Sequence, residues 1–407
     1  MNRSAKIVIL AALLAMSLKL YCALTTIGET DVILFYQYGK TIYEDGFTSI
    51  YQTSVSYNHT PAVGGFACLD YLLAAQFDPK GVTLFPFLLR LPGILADFIV
   101  VLVLLRFREQ TGKPPTWLLV LFALSPVSFM VSGFHGNVDP VMVLFLVLAA
   151  MMCVEERPLA CGLFLGLACN VKIIPLLLTP VFFFFWMHRS KKIAFGFVAA
   201  SVLTCLAGWY VALIDSPLLF LRKVLGYNSY WGLWGISYWL NITSWDIFHC
   251  PAIFVMTPIQ QVLVAFLKVI IILGCVMIGW RKRRATGAEF FSALAAAWIL
   301  FFVFTPGACP QYMVWFAPFI LLFSTSWYIV LIAASSLFLF NFYNIICHGM
   351  PWLEGDATGL VAPQWVPWSN WPWAVLIACL VCSWKRIWAV ESGITPAVTS
   401  QPDRPQS

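Results

Sequence analysis

Charge is scarce in this sequence. Of 407 residues only 10% are Asp, Glu, Lys or Arg, while 61% are hydrophobic. A soluble core of that size needs far more polar surface to cover it, which excludes an ordinary globular enzyme. Glycine fingerprints are missing as well. No P-loop or dinucleotide-binding pattern occurs, so soluble nucleotide cofactors are not implied. Strict polar–apolar alternation is absent, which argues against a membrane β-barrel. No internal repeat is visible, although secondary transporters often carry two similar halves. The 12 cysteines are scattered through apolar stretches and read as small buried thiols. Cys379 and Cys382 form a CxxC, but no His or second pair lies near enough to make it a metal or redox motif.

Long apolar blocks are what the sequence has instead, for example 7–18, 99–105, 141–153 and 269–280. A straight helix needs about 20 mostly apolar residues to cross a bilayer. Lipid offers no water to backbone groups, so such blocks are helical. The expected fold class is all-α, a polytopic transmembrane bundle. Its segments are 7–27, 84–105, 116–132, 138–154, 159–173, 174–188, 193–214, 255–280, 288–305, 312–323, 327–346 and 371–388. The first is read as a retained helix, with a cleaved signal peptide as the alternative. Several segments are too short to span and are read as walls of an outward-facing cavity, where broken helices are tolerated. The external loop 28–83 is expected to carry short interfacial helices. The membrane domain is placed at 1–391 and a disordered cytoplasmic tail at 392–407.

The net charge of +6 is a topology signal and not a nucleic-acid one. Basic residues cluster at alternate ends of the blocks, at Arg3/Lys6, Arg106/Arg108/Lys113, Arg157, Arg189/Lys191/Lys192, 281–284 and Lys385/Arg386. By the positive-inside rule these ends and both termini are cytoplasmic. The opposite side carries acids and many Trp and Tyr, which suit an interfacial belt and also the apolar faces of sugar rings. The expected membrane is the plasma (inner) membrane, with the endoplasmic reticulum as the alternative.

The residues awkward for lipid gather on the outer side. Glu29 and Asp31 follow the first segment directly. They read either as a cap for the next helix, through Thr30 or Asp31, or as a general base beside a membrane-bound substrate. Arg90 and Asp97 lie two turns apart on one helix face. They read as a structural pair, or Arg90 holds a lipid-borne phosphate. The turn His135-Gly136-Asn137-Val138-Asp139-Pro140 joins two segments; Asp139 caps the second, and His135 is a residue no turn requires. Lys172 is a lone cation in want of an anion. Gln311 and Tyr312 sit in a second external turn. An acid surrounded by cations near the headgroups suits a reaction that releases a lipid phosphate.

With these motifs the chain resembles the C-type (GT-C) glycosyltransferases, from about residue 7 to 323. Glu29-Thr30-Asp31 is similar to that family's acidic first-loop motif, and Arg90-Leu91-Pro92 with Ala96-Asp97 to its second helix. His135-Gly136-Asn137-Val138-Asp139 resembles its Gly-Gln/Asn-x-Asp turn, and Lys172-Ile173-Ile174-Pro175 its Lys-x-x-x-Pro segment. The resemblance implies an inverting, mannosyltransferase-like transfer of a hexose from a polyprenyl-phosphate carrier to a lipid-linked or cell-envelope glycan at the non-cytoplasmic face. It implies Asp31 as base with Glu29 beside it, and Arg90, Lys172 and His135 as holders of the donor phosphate. Asn137, Asp139, Gln311 and Tyr312 are the further substrate-binding candidates. Tyr312 lacks the His-Glu-Arg-Tyr form several members show. Partners are the donor, a glycan or glycolipid acceptor and membrane lipids; no metal ligand set is assigned and metal dependence is open. A secondary transporter or lipid-linked glycan flippase is the alternative.

Overall fold

A computed structural model of the chain describes residues 3–54, 56–78, 81–227, 233–241, 256–354, 356–357 and 363–389. Tyr230, Trp231 and Asp246 of the expected outer loop, and the expected tail at 392–407, lie outside these residues.

The chain opens with α1 (Arg3–Thr25), a two-residue strand β1 (Gly28–Glu29), then α2 (Thr30–Asp45), α3 (Ser49–Thr53) and α4 (Pro61–Phe77). The long α5 (Leu84–Thr111) returns across the bundle. Next come α6 (Thr116–Ala123), α7 (Pro126–Ser128) and a π-helical segment, Phe129–His135. A tight turn leads to α8 (Asp139–Val154) and α9 (Pro158–Val171), and a 3₁₀ turn at Ile174–Leu178 precedes α10 (Thr179–Arg189). Then follow α11 (Lys191–Asp215), α12 (Pro217–Val224), α13 (Gly235–Asn241), α14 (Pro258–Arg281) and α15 (Ala288–Phe304). A second 3₁₀ turn, Pro310–Val314, leads to α16 (Ala317–Phe323) and α17 (Thr325–Ile346). The described chain finishes with α18 (Pro351–Glu354), β2 (Asp356–Ala357), a 3₁₀ segment at Pro363–Ser369, α19 (Asn370–Cys382) and α20 (Trp384–Trp388).

Each of the twelve expected segments is helical. Among the described residues, seven stretches are long and apolar enough to cross a membrane: Arg3–Thr25, Leu84–Thr111, Thr116–His135, Lys191–Asp215, Pro258–Arg281, Thr325–Ile346 and Trp365–Cys382. Five shorter apolar helices accompany them, including Asp139–Val154, Pro158–Val171 and Ala288–Phe304. α15 is apolar all round and almost wholly buried, as a helix at the centre of a bundle must be. α11 and α14 instead turn Phe195, Leu203, Ile259 and Phe266 outward. A contiguous apolar surface of that kind is what lipid covers.

The first external loop departs from expectation in scale. Instead of short surface helices only, it contains α2 and α4, of 16 and 17 residues, packed on each other. Gly39 makes this possible, since a Cβ there would collide with the Ala67 backbone. The pair lies against α5 and α11 with a small core of its own, built on Phe35, Tyr38, Tyr51, Tyr57 and Phe85.

Inside the bundle the pairing of Asp97 also differs from expectation. Its partner is Lys19 of α1, at 2.6 Å, and not Arg90. Ser128 and Ser132 donate to the same carboxylate oxygen at 2.6 and 2.5 Å. Lys19 is 3% exposed. A cation buried that deeply is tolerable because the carboxylate and the Ser128 hydroxyl take up its N–H groups.

Candidate active site

Three backbone devices bring the polar residues together. β1 pairs in parallel with β2, Gly28 opposite Asp356 and Glu29 opposite Ala357, which fixes the acidic motif to the segment between α17 and α19. Gly28 has φ +104°, and a Cβ on it would stand 2.6 Å from the Phe134 carbonyl oxygen, so only glycine lets the motif approach the turn this closely. The turn follows the π-helical segment, whose wider winding carries the chain from α7 to His135 and is closed by Gly136 at φ +82°.

Glu29 is the N-cap of α2, and its carboxylate accepts the Asp31 backbone N–H at 2.8 Å. The cap is therefore Glu29, not Thr30 or Asp31, and the Asp31 side chain is left free for the cluster. Asp31 Oδ2 accepts Asn137 Nδ2 at 2.5 Å and Gln311 Nε2 at 3.3 Å, and lies 3.1 Å from His135 Nε2. Its side chain is 25% exposed, so it remains open to solvent at this end of the bundle. Burial pushes the Asp31 pKa up, but the hydrogen bond and charge of His135, with Asn137 and Lys172, outweigh it and leave the group at about 2. Glu29 is treated oppositely: burial, helped by the charge of Asp31, raises it to about 7 against the pull of His135. Two carboxylates two residues apart thus hold different protonation states near neutral pH.

Asp139 is fully buried, and its carboxylate does not cap α8 as expected. It takes Lys172 Nζ at 2.9 Å and the Trp315 indole N–H at 2.5 Å. Lys172 stands where α9 breaks into extended backbone, over the rings of Tyr312 and Trp315 at 4.9 and 5.6 Å. Those two rings stack at 3.8 Å. A lysine ammonium has three N–H donors, so pairing with Asp139 leaves capacity for a second anion.

Beside Lys172 opens a cavity of about 420 Å³. Its walls are aliphatic, with Ile173, Ile174, Leu177, Ile271 and Ile272, and its polar end holds His59, Lys172 and Tyr312. The shape suits an amphiphile whose head meets the cation and whose tail lies along the helices. Burial, then the charge of Lys172, lowers the His59 pKa to about 3, so this imidazole is neutral at physiological pH.

Asp31, Glu29, His135, Asn137 and Gln311 are therefore brought together, with Asp139, Lys172 and Tyr312 as an adjoining group. Arg90 joins neither, and its expected role as a phosphate holder is corrected. It is 1% exposed, and its guanidinium donates to the carbonyl oxygens of Pro86, Gly133, Phe134, Ala23, Thr26 and Ile27 and to the Thr26 hydroxyl. These oxygens occupy its N–H donors, and Arg90 is a clamp between the end of α1 and the His135 turn. Trp315 was not singled out from the sequence, and His59 was noted only as part of the stretch Tyr57–Pro61, where many GT-C members carry a Tyr-Pro element. Trp315 is one of 18 tryptophans and nothing local marks it.

Glu29, Asp31 and His135 offer ligand atoms within 4.8 Å of one another, enough to suggest a divalent cation. The fit is poor at Asp31 Oδ2, because the amide N–H groups of Asn137 and Gln311 already point at that oxygen. Donor hydrogens aimed at a metal seat repel the ion.

A helical bundle with an acid–base cluster at one end and an amphiphile-sized cavity beside it defines an integral membrane protein equipped for chemistry at a membrane surface. More narrowly, the chain belongs to glycosyltransferase family 87: the model of that family matches residues 80–306, more than half of its length. The match contains Arg90, His135, Asn137, Asp139 and Lys172, while Asp31 and Gln311 fall on either side of it. A comparison with curated proteins found no match.

Proposed function

We propose that this glycosyltransferase moves a hexose, mannose- or glucose-like, from a polyprenyl-phosphate carrier to a lipid-linked or cell-envelope glycan acceptor at the non-cytoplasmic face. The observation that carries the reading is an ionised, partly exposed carboxylate next to a cation at the head of an aliphatic cavity. The polyprenyl chain lies between α14 and the 3₁₀ turn at Ile174–Leu178, and the phosphate meets Lys172. An acceptor hydroxyl binds at Asp31 and gives its proton to that carboxylate as its oxygen attacks the anomeric carbon. The bond from that carbon to the phosphate oxygen breaks from the opposite side, inverting the configuration. Lys172 stabilises the charge that develops on the leaving phosphate. His135, Asn137 and Gln311 hold Asp31 in place, and Asp139 with Trp315 holds Lys172.

Purified protein in lipid, incubated with a panel of polyprenyl-phosphate hexoses and a membrane glycolipid extract, tests this. The reading expects consumption of one donor with appearance of polyprenyl phosphate and a glycosylated product. Donor hydrolysed without transfer, or consumption only of a nucleotide sugar, would refute it.

A further inference from the structure

The chain around His59 is fastened to the break after α9. The Thr60 hydroxyl donates to the Asn170 carbonyl, two residues before Lys172. The Tyr51 hydroxyl donates to the His59 carbonyl at 2.9 Å, and the Tyr57 hydroxyl to the Thr60 carbonyl at 3.1 Å. Rings hold the imidazole as well, with Phe35, Tyr57 and Tyr38 at 5.0, 5.7 and 6.4 Å from it. His59 is thus fixed through backbone and side chain alike, in the wall of the donor cavity that also carries Lys172 and Tyr312.

Packing alone does not require an imidazole at this position. Tyr51 and Tyr57 are the buried members of the aromatic group, whereas His59 is half-buried and reaches the cavity. Among the described residues no hydrogen bond engages its ring nitrogens; Tyr51 bonds the carbonyl only. The charges of Lys172 and Asp31 both act on the ring, so it stands within reach of each. In the reading above the phosphate meets Lys172 and the anomeric carbon lies towards Asp31. A hexose that joins those two points lies alongside His59.

The imidazole is neutral, which excludes two roles. It brings no positive charge to a phosphate, and it is too weak a base to take a proton from an attacking hydroxyl. What it offers is one N–H donor and one lone pair, and a sugar hydroxyl, which both donates and accepts, is the complement. A ligand that fills the cavity must supply such a partner or leave a polar atom unpaired.

We propose that His59 selects the donor sugar: its ring hydrogen-bonds one hydroxyl of the carrier-linked hexose, and a sugar lacking that hydroxyl is rejected. The proposal rests on the transferase reading above and adds to it the residue that reads the sugar.

The test measures binding and transfer separately. Full-length protein in phosphatidylcholine nanodiscs is titrated with bare polyprenyl phosphate, with polyprenyl-phosphate mannose and glucose, and with the single-deoxy derivatives of whichever hexose binds more tightly. Loss of one particular hydroxyl is expected to weaken wild-type binding by about 10- to 100-fold. In His59→Phe, which keeps the ring packing, that difference is expected to vanish while the bare carrier still binds, which checks that the variant has folded. His59→Asn or His59→Gln, which set an amide near one ring nitrogen or the other, is expected to restore it. Three results overturn the proposal: a wild type that tolerates every deoxy derivative, His59→Phe with the wild-type discrimination intact, and His59→Phe that weakens bare carrier, hexose and deoxy derivatives all alike. Discrimination through His59 with no transfer to any acceptor supports the proposal and refutes the transferase reading. Transfer with a discrimination that ignores His59 does the reverse.

Discussion

Asp31 keeps its negative charge because three side chains from distant parts of the chain converge on one of its oxygens. Asp31→Asn leaves that arrangement nearly the same in shape and removes only the base. It should reduce transfer by at least about 10²-fold, the usual share of general-base catalysis, while binding of the polyprenyl-phosphate sugar, measured by titration, stays near wild type. Glu29 makes a different prediction. Its value of about 7 means that it ionises across neutral pH, adding a second negative charge that strengthens Asp31 as a base. Transfer should therefore rise through neutrality, and Glu29→Gln should flatten that limb in a pH–rate profile. The same shift has a stability consequence of known sign. The folded-state value lies above the ordinary 4.5, so the fold favours the protonated carboxyl and loses stability as pH rises from there towards 7. Glu29→Gln should then unfold at a higher temperature than wild type on the alkaline side and show no gain on the acid side. Asp31 works the other way, losing its contribution only when the pH falls towards 2.

At the scale of elements, the π-helical segment Phe129–His135 is the piece that aims the His135 turn at Asp31. Its extra winding rotates His135 relative to a regular helix. Deleting one residue from 129–131 should restore α-helical hydrogen bonding and swing His135 by about 100°. The expected result is a folded protein, by gel filtration and thermal unfolding, with transfer abolished. The Lys19–Asp97 pair between α1 and α5 makes a stability prediction. Lys19→Met leaves a buried carboxylate uncompensated and should cost about 3–5 kcal/mol, whereas Lys19→Met with Asp97→Leu should recover most of it. Equal stability of the single and double variants in a denaturation series would contradict that account. Arg90 was misread at this scale. An intramembrane cation marks a ligand site only if its donors are unspent, and the sequence does not reveal carbonyl oxygens at the ends of α1 and the His135 turn. Helix α4 was missed although its 17 residues, Pro61–Phe77, are largely apolar.

For the whole molecule, the bundle was legible because lipid imposes a simple rule. Apolar blocks must be helical, and all twelve expected segments correspond to helices. The acidic motif, Asn137, Lys172 and Gln311 could also be picked out, since each is a polar residue where a membrane protein has reason to avoid one. What the sequence withheld was which of them touch. The pairing of Lys172 with Asp139 and the Trp315 indole behind it both depend on contacts between elements far apart in the chain. Composition carries no trace of such contacts in a protein where 16% of residues are aromatic.

The two-residue pairing of Gly28–Glu29 with Asp356–Ala357 has a biosynthetic corollary. Glu29 leaves the ribosome 328 residues ahead of its backbone partner Ala357, with five of the seven long apolar stretches among the described residues in between. The seat of the acidic motif is consequently completed only after those stretches have been made. A half-made chain that already carries its acidic motif would lack the backbone pairing that seats it.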